Sequence, residues 1–149
     1  MTTWRHRNER GAAFVEFVLV VPFLMMFLYM IIAYGVMFSF RQTISQAATE
    51  GARAAAIAPS NLTYTQRRDR AITAINEAFQ GTQVGGGLTC GGTLTCTVPS
   101  VPVTCGDATQ CISVTLQYPY RTSPLVAVPQ FFGVMLPATL QYTSSARIN

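Results

Sequence analysis

The stretch FVLVVPFLMMFLYMIIAYGVMFSF, residues 17–40, decides the architecture of this chain because none of its residues is charged. As an α-helix it would extend roughly 36 Å at ~1.5 Å per residue, enough to cross a hydrocarbon core of about 30 Å. A cleavable secretory signal has an apolar region of only ~7 to 15 residues. The length of the run therefore predicts a membrane-spanning helix rather than a released secretory protein.

The charges that flank this run predict its orientation. Arg5, Arg7 and Arg10 precede it, whereas only Arg41 follows it closely. Basic residues stay on the cytoplasmic side of a membrane. We therefore expect a single-pass protein of the inner (cytoplasmic) membrane, with its N-terminus in the cytoplasm and its C-terminal part outside.

The helix is expected to continue beyond the membrane, from about Ala12 to Ile57. Residues 42–58 are rich in alanine, one of the best helix formers, and contain no proline. Small residues at helical spacing would let a second helix come close; they are Ser45, Ala48, Ala52 and Ala55. Pro22 removes a backbone hydrogen bond and should kink or locally melt the helix.

The remainder is expected to form one small extracytoplasmic domain over residues 59–149. A second helix is predicted over Tyr64 to Gln80, with an apolar stripe of Ala71, Ile72, Ile75 and Phe79. The best strand prediction is Ile112 to Tyr118, where apolar and polar residues alternate. Further strands are predicted over Leu94 to Val98, Val101 to Cys105 and Leu140 to Thr143.

The predicted fold class is therefore α+β. A long N-terminal transmembrane helix (residues 12–41, continued outside over 42–58) leads into a short helix packed on an antiparallel sheet of three or four strands. The apolar segment Pro124 to Leu136 is too short to cross a membrane. Ser123 as cap and Pro124 as first residue favour a short helix there, although Pro129 and Gly133 favour an interrupted one. The segment either completes the core or presents an apolar docking patch.

Four cysteines fall in the extracytoplasmic part, where an even set is typical of disulfides; they are Cys90, Cys96, Cys105 and Cys111. Zinc binding is the competing interpretation. However, zinc ligands usually lie about two to four residues apart, and the only histidine is His6, near the N-terminus. The sequence thus favours two disulfides and predicts no metal and no other cofactor.

We predict local pairing, Cys90 with Cys96 and Cys105 with Cys111. The second pair can close a hairpin around Gly106 and Asp107, and the first pair has the same spacing. Four cysteines permit three pairings, so the connectivity itself is not fixed by the sequence.

Composition argues against an enzyme and against a nucleic-acid-binding protein. The extracytoplasmic part contains no lysine and no histidine, and its only acidic residues are Glu50, Asp69, Glu77 and Asp107. Acid–base and nucleophilic pairs are hard to assemble from such a set. Its only dense charge cluster, residues 67–70, lacks the interleaved aromatic residues of a nucleic-acid surface and is interpreted as a solvated helix face.

A single acidic residue stands at the beginning of the apolar run and needs an explanation. Glu16 follows a basic leader that ends at Gly11. A carboxylate near a bilayer boundary is tolerated when it meets a cation, and cleavage after Gly11 would place a new amine on Ala12, one helical turn away. The alternative is that Glu16 only marks the interfacial end of an ordinary span.

A family resemblance bears on this choice. The motif Arg10-Gly-Ala-Ala-Phe-Val-Glu-Phe17, the apolar helix with Pro22, and residues 48–56 (ATEGARAAA) resemble the TadE-like pseudopilins of the tight-adherence (Tad/Flp, type IVb-like) pilus system. The distal residues 118–147 are also similar to the end of that family, though less specifically. Phe17 departs from the tyrosine that usually follows the glutamate in the much shorter major pilins.

The resemblance implies a minor pilin whose leader, residues 1–11, is removed by a membrane prepilin peptidase, leaving Ala12 as the first residue. Glu16 and Phe17 would then serve assembly, through other pilins or pseudopilins, the inner-membrane assembly platform and the lipid bilayer. The fibre would serve surface attachment or DNA uptake. The alternative function is a single-span membrane protein whose outer domain binds a ligand or senses the envelope.

Overall fold

The computed structural model describes residues 6–106, 109–129 and 133–148, with their side chains from Gly11 onward. The elements in these ranges are α1 (His6–Ala56), α2 (Tyr64–Gln80), β1 (Thr95–Thr97), β2 (Val103–Thr104), β3 (Gln110–Tyr118) and β4 (Leu140–Arg147). The predicted α+β class is confirmed: a long apolar N-terminal helix, a short helix, a four-stranded antiparallel sheet and two disulfides.

The chain divides after Gly35 into two units, which are described separately. The first unit is the apolar part of α1, and its large side chains are exposed on every side of the helix. Phe14, Phe17, Phe23 and Phe27 are each about two-thirds exposed. A helix that is apolar all round requires an apolar surrounding, and α1 is long and apolar enough to cross a membrane. This segment is a single membrane-anchoring helix.

Helix α1 is one uninterrupted element, as expected, but it begins at His6 instead of near Ala12. Residues 6–10 contain neither proline nor glycine, so nothing in them ends the helix. The helix also continues through Pro22. Local melting at Pro22 is therefore not observed, and a bend there stays a prediction.

The second unit is built around the last five turns of α1. One stripe of this part of the helix is almost completely buried; it consists of Met37, Phe40, Ile44, Ala47, Ala48, Ala52 and Ala55. Helix α2 approaches α1 at Gly51, where an added Cβ atom would lie only 2.6 Å from Ile75 Cγ1. The close helix approach predicted from the small residues thus occurs within the chain, and glycine is required at position 51.

Helix α2 has the predicted bounds and begins with a capping box. The backbone N–H of Gln66 donates to Thr63 Oγ1, and the backbone N–H of Thr63 donates to Gln66 Oε1 at 2.9 Å. Its buried stripe contains Ala71, Ile75 and Phe79, whereas Ile72 is only half-buried.

Arg67 contradicts the interpretation of residues 67–70 as a solvated face, because its side chain is only 4% exposed. It lies one turn before Ala71 and extends the buried stripe. Its Nη1 donates to the carbonyls of Ala55 (3.1 Å) and Ala56 (3.4 Å), and its Nη2 to that of Pro59 (3.0 Å). Carbonyls at a helix C-terminus lack partners and carry partial negative charge, so the guanidinium caps α1.

We expect Arg67→Met to destabilise the second unit by about 2–3 kcal/mol, because hydrogen bonds to a charged donor are lost and buried carbonyls are left unpaired. Thermal or urea unfolding of the full chain in detergent would measure the loss. Arg70→Met removes the same charge from an exposed position of the same helix and serves as the control. Equal stability of the two variants would contradict the capping role.

Strand β3 is the centre of the sheet. Strand β4 pairs with it along eight residues, from Cys111 opposite Arg147 to Tyr118 opposite Leu140, and so occupies one edge completely. The short strands β1 and β2 pair with opposite ends of β3 and share its other edge. The buried face of β3 presents Ile112, Val114, Leu116 and Tyr118, as the alternation predicts. Relative to the predictions, β1 and β2 are shorter and β4 is longer.

Two disulfides lie at the edge formed by the short strands. Cys90 is bonded to Cys96 in β1, and Cys105, directly after β2, is bonded to Cys111 in β3; the Cα–Cα distances are 5.4 and 5.9 Å. The backbone N–H of Cys90 also donates to Asn76 Oδ1 at 2.9 Å, which links this edge to α2. Asp107, in the turn expected for the second pair, lies outside the described residues.

Peptide mapping of the full chain under non-reducing conditions should yield the two local pairs as separate cross-linked peptides. Each short loop should stabilise the fold by somewhat less than the ~3 kcal/mol expected for closing a 15-residue loop. A peptide linking Cys96 to Cys111 would overturn the pairing, and free thiols would overturn the assignment to an oxidising compartment.

The apolar segment after β3 does not begin as the predicted helix. Residues 124–129 are irregular, so Ser123 is not a helix cap, and its carbonyl instead accepts a hydrogen bond from the Tyr118 hydroxyl at 2.8 Å. Pro129 explains the difference, because a proline lacks the N–H that would continue a helical turn. Phe131 and Phe132 lie outside the described residues.

Candidate functional site

Residues 11–17 form two exposed turns near the beginning of α1. Ala12 and Glu16 are four residues apart and therefore lie on one face of the helix. Glu16 is exposed, and its neighbours Phe14 and Phe17 are 66% and 64% exposed. A carboxylate surrounded by apolar side chains on a membrane helix is costly unless a cation meets it. The geometry thus presents one negative charge on an apolar, uncovered surface.

Gly11 has no structural reason to be glycine in the described part of the chain. It lies within α1, and an added Cβ atom would meet no heavy atom within 4 Å. A glycine inside a helix costs about 1 kcal/mol relative to alanine. Gly51, in the same helix, is explained by its contact with Ile75, whereas no contact of the described residues explains glycine at position 11 or at position 35.

An aromatic cluster lies where α1 leaves its uncharged stretch. Phe40 is fully buried, and its ring centroid is 4.8 Å from that of Tyr118 and 6.2 Å from that of Tyr120. Gly85, with φ +81°, brings its backbone against the Phe40 ring, where no Cβ atom would fit. Burial raises the pKa of both tyrosine hydroxyls above 10.0, so they stay neutral at physiological pH.

This cluster was not predicted from the sequence. Its only sequence signal is that the uncharged stretch ends in an aromatic residue, while two tyrosines flank Pro119 at the end of the best-predicted strand. The cluster fixes the end of β3 to α1 at Phe40.

The described residues offer little for catalysis or metal binding. They contain no group of three or more His, Cys, Asp or Glu side chains close enough to hold a metal ion. All four cysteine thiols are engaged in disulfides.

The structure brings some of the predicted site residues together and separates others. Gly11, Ala12, Glu16 and Phe17 lie within two turns of α1, and Pro22 follows in the same helix. The disulfides belong to the sheet edge in the second unit and are not part of this site. The first two turns and the sheet edge therefore have separate roles.

Comparison with known proteins relates the first part of the chain to a family. A family model of the TadE-like proteins matches residues 11–53. No curated protein and no solved structure matches the chain significantly. The matched region begins at Gly11, contains Glu16 and ends just after Gly51, so it covers the exposed site and the helix contact with α2. Residues 118–147 lie outside it, and their likeness to the family stays a prediction. Residues 11–53 are therefore similar to the TadE-like proteins, as the sequence motifs indicated.

Proposed function

We propose that this protein is a minor pilin or pseudopilin that takes part in the assembly of a Tad-type pilus and is not an enzyme. The observation that carries the proposal is the exposed Glu16 at the head of an apolar helix whose large side chains are uncovered, within the TadE-like segment. Such a surface is suited to packing against other helices of the same kind in a membrane or a fibre.

The proposal includes removal of residues 1–11 by a prepilin peptidase. Gly11 supports this step because neither the backbone nor the packing of the described chain requires glycine there. A peptidase must open the helix locally to reach a peptide bond, and glycine is where α1 opens at least cost. Cleavage would leave the Ala12 amine one turn from Glu16, on its own or a neighbouring subunit.

We place the N-terminus in the cytoplasm, because of the arginines before the span, and the second unit outside, where its disulfides form. The proposed boundaries are residue 41 for the end of the span and residue 58 for the end of the helix. The proposed partners are prepilin peptidase, other pilins or pseudopilins, the inner-membrane assembly platform and the bilayer.

We expect Gly11→Val to block cleavage between Gly11 and Ala12 without preventing membrane insertion, because a branched side chain crowds the scissile bond. Intact mass and N-terminal sequencing of the purified chain would show it. Ala13→Val places the same branched side chain two residues further on and should be processed normally. A wild-type chain that still begins at Met1 in cells with active prepilin peptidase would refute the processing step.

Glu16→Ala should leave the membrane level and the processing unchanged but strongly reduce or abolish piliation. The reason is that the charge acts between subunits in a low-dielectric setting, where ion pairs are strong. Glu50→Ala, at an exposed position of the same helix, provides the control. Counting pili by electron microscopy would test the prediction, and wild-type piliation of Glu16→Ala would remove the assembly role.

A further inference from the structure

The C-terminal end of β3 packs against α1 where the uncharged run ends. Phe40 is the last residue of the uncharged run and Arg41 is the first charge after it, so the boundary of the bilayer lies near these two residues. The contacts of Phe40 with Tyr118 and Tyr120 bring the C-terminal end of β3 to this level.

The beginning of β4 lies at the same level. Tyr142 lies in β4 two residues after Leu140, which pairs with Tyr118. It lines a surface cleft together with side chains of α1 that include Phe38 and Arg41. Two independent contacts thus place the β3–β4 end of the sheet beside the boundary residues of α1. The described parts of the connection between these strands, residues 119–129 and 133–139, begin and end at this end of the sheet.

This connection is held together at its base and exposes apolar side chains beyond it. Arg121 donates from Nε (3.1 Å) and Nη2 (2.7 Å) to the Leu136 carbonyl. The backbone N–H of Arg121 donates to the Ala138 carbonyl at 3.4 Å. Leu136 is buried, whereas the two residues before it, Val134 and Met135, are 79% and 63% exposed. Val134 is the most exposed large apolar residue in the described chain.

We propose that Val134 and Met135 insert into the surface of the same lipid bilayer that α1 crosses, so that the second unit rests on the membrane through this loop. Exposed apolar side chains held beside a bilayer boundary gain free energy by leaving water for the acyl region. A cation at the base of the loop, Arg121, suits the headgroup level. The occupant of this surface is therefore lipid.

The proposal rests on the membrane anchor and not on leader processing or pilus assembly. Its failure would leave the processing and piliation experiments unaffected, and their failure would leave it standing.

A single fluorescent probe would test the contact. The only tryptophan of the chain is Trp4, so Trp4→Phe gives a dark background into which Val134→Trp introduces one reporter. The full chain is reconstituted into phosphatidylcholine vesicles with or without bromine on the acyl chains, which quenches tryptophan on contact. Val101→Trp is the matched control. It replaces another exposed valine, which lies just before β2. Strand β2 pairs with β3 at Cys111, and Cys111 is about 23 Å from Tyr118 along β3.

We expect the tryptophan at position 134 to emit at shorter wavelength than that at position 101 and to lose most of its emission in brominated vesicles, while position 101 is unaffected. Equal quenching at both positions, or none at 134, would overturn the proposal. A blue shift at 134 without quenching, growing with the protein-to-lipid ratio, would also overturn it, because a second copy of the chain would then cover the loop. Intact disulfides in each variant would show that the fold is retained.

Discussion

One helix must satisfy two surroundings, and the rest of the molecule depends on how it does so. Before Gly35, α1 carries large apolar side chains on every side and relies on lipid or other helices to cover them. From Met37 onward, it buries one stripe in its own domain and turns charged or polar residues outward. The stripe accommodates α2 at Gly51 and the end of β3 at Phe40. The domain is therefore packed around the same helix that anchors it.

A helix used in this way needs a defined end, and Arg67 provides it. The carbonyls of Ala55 and Ala56, at the C-terminus of α1, need donors from outside the helix, whereas that of Pro59 already accepts from the backbone N–H of Leu62 at 3.1 Å. The guanidinium supplies those donors from α2, so the end of α1 and the beginning of α2 are determined by the same side chain. This coupling explains why a charged residue is buried among alanines. Arg67 thus connects the end of α1 and the turn at Pro59 to α2.

Much of this architecture could be predicted from the sequence, because it depends on local patterns. The uncharged run gave the long helix, the alternation in residues 112–118 gave the central strand, and Tyr64 to Gln80 were correctly bounded by their apolar period. The errors arose where tertiary contacts override local preference. Arg67 follows the helical stripe, yet its charge argued for solvent, and only the position of the α1 carbonyls shows why it is buried.

The candidate site shows the same division. Gly11, Glu16 and their spacing are visible in the sequence, since they depend on one helical turn and on the cost of a carboxylate in an apolar run. The difference between Gly11, which meets nothing, and Gly51, which meets Ile75, requires coordinates. The aromatic cluster around Phe40 could not be predicted, because its members are separated by about eighty residues of chain.

The unequal edges of the sheet have a consequence for how the domain resists force. Strand β4 is held by eight consecutive pairs, whereas β1 and β2 are three and two residues long and are joined to their surroundings by covalent bonds. Hydrogen bonds along one edge share a load, but a disulfide bears it without yielding. If the disulfides were reduced, the short-strand edge would detach by local unfolding while α1, α2, β3 and β4 kept their packing. The edge formed by β1 and β2 would therefore unfold before the rest of the domain.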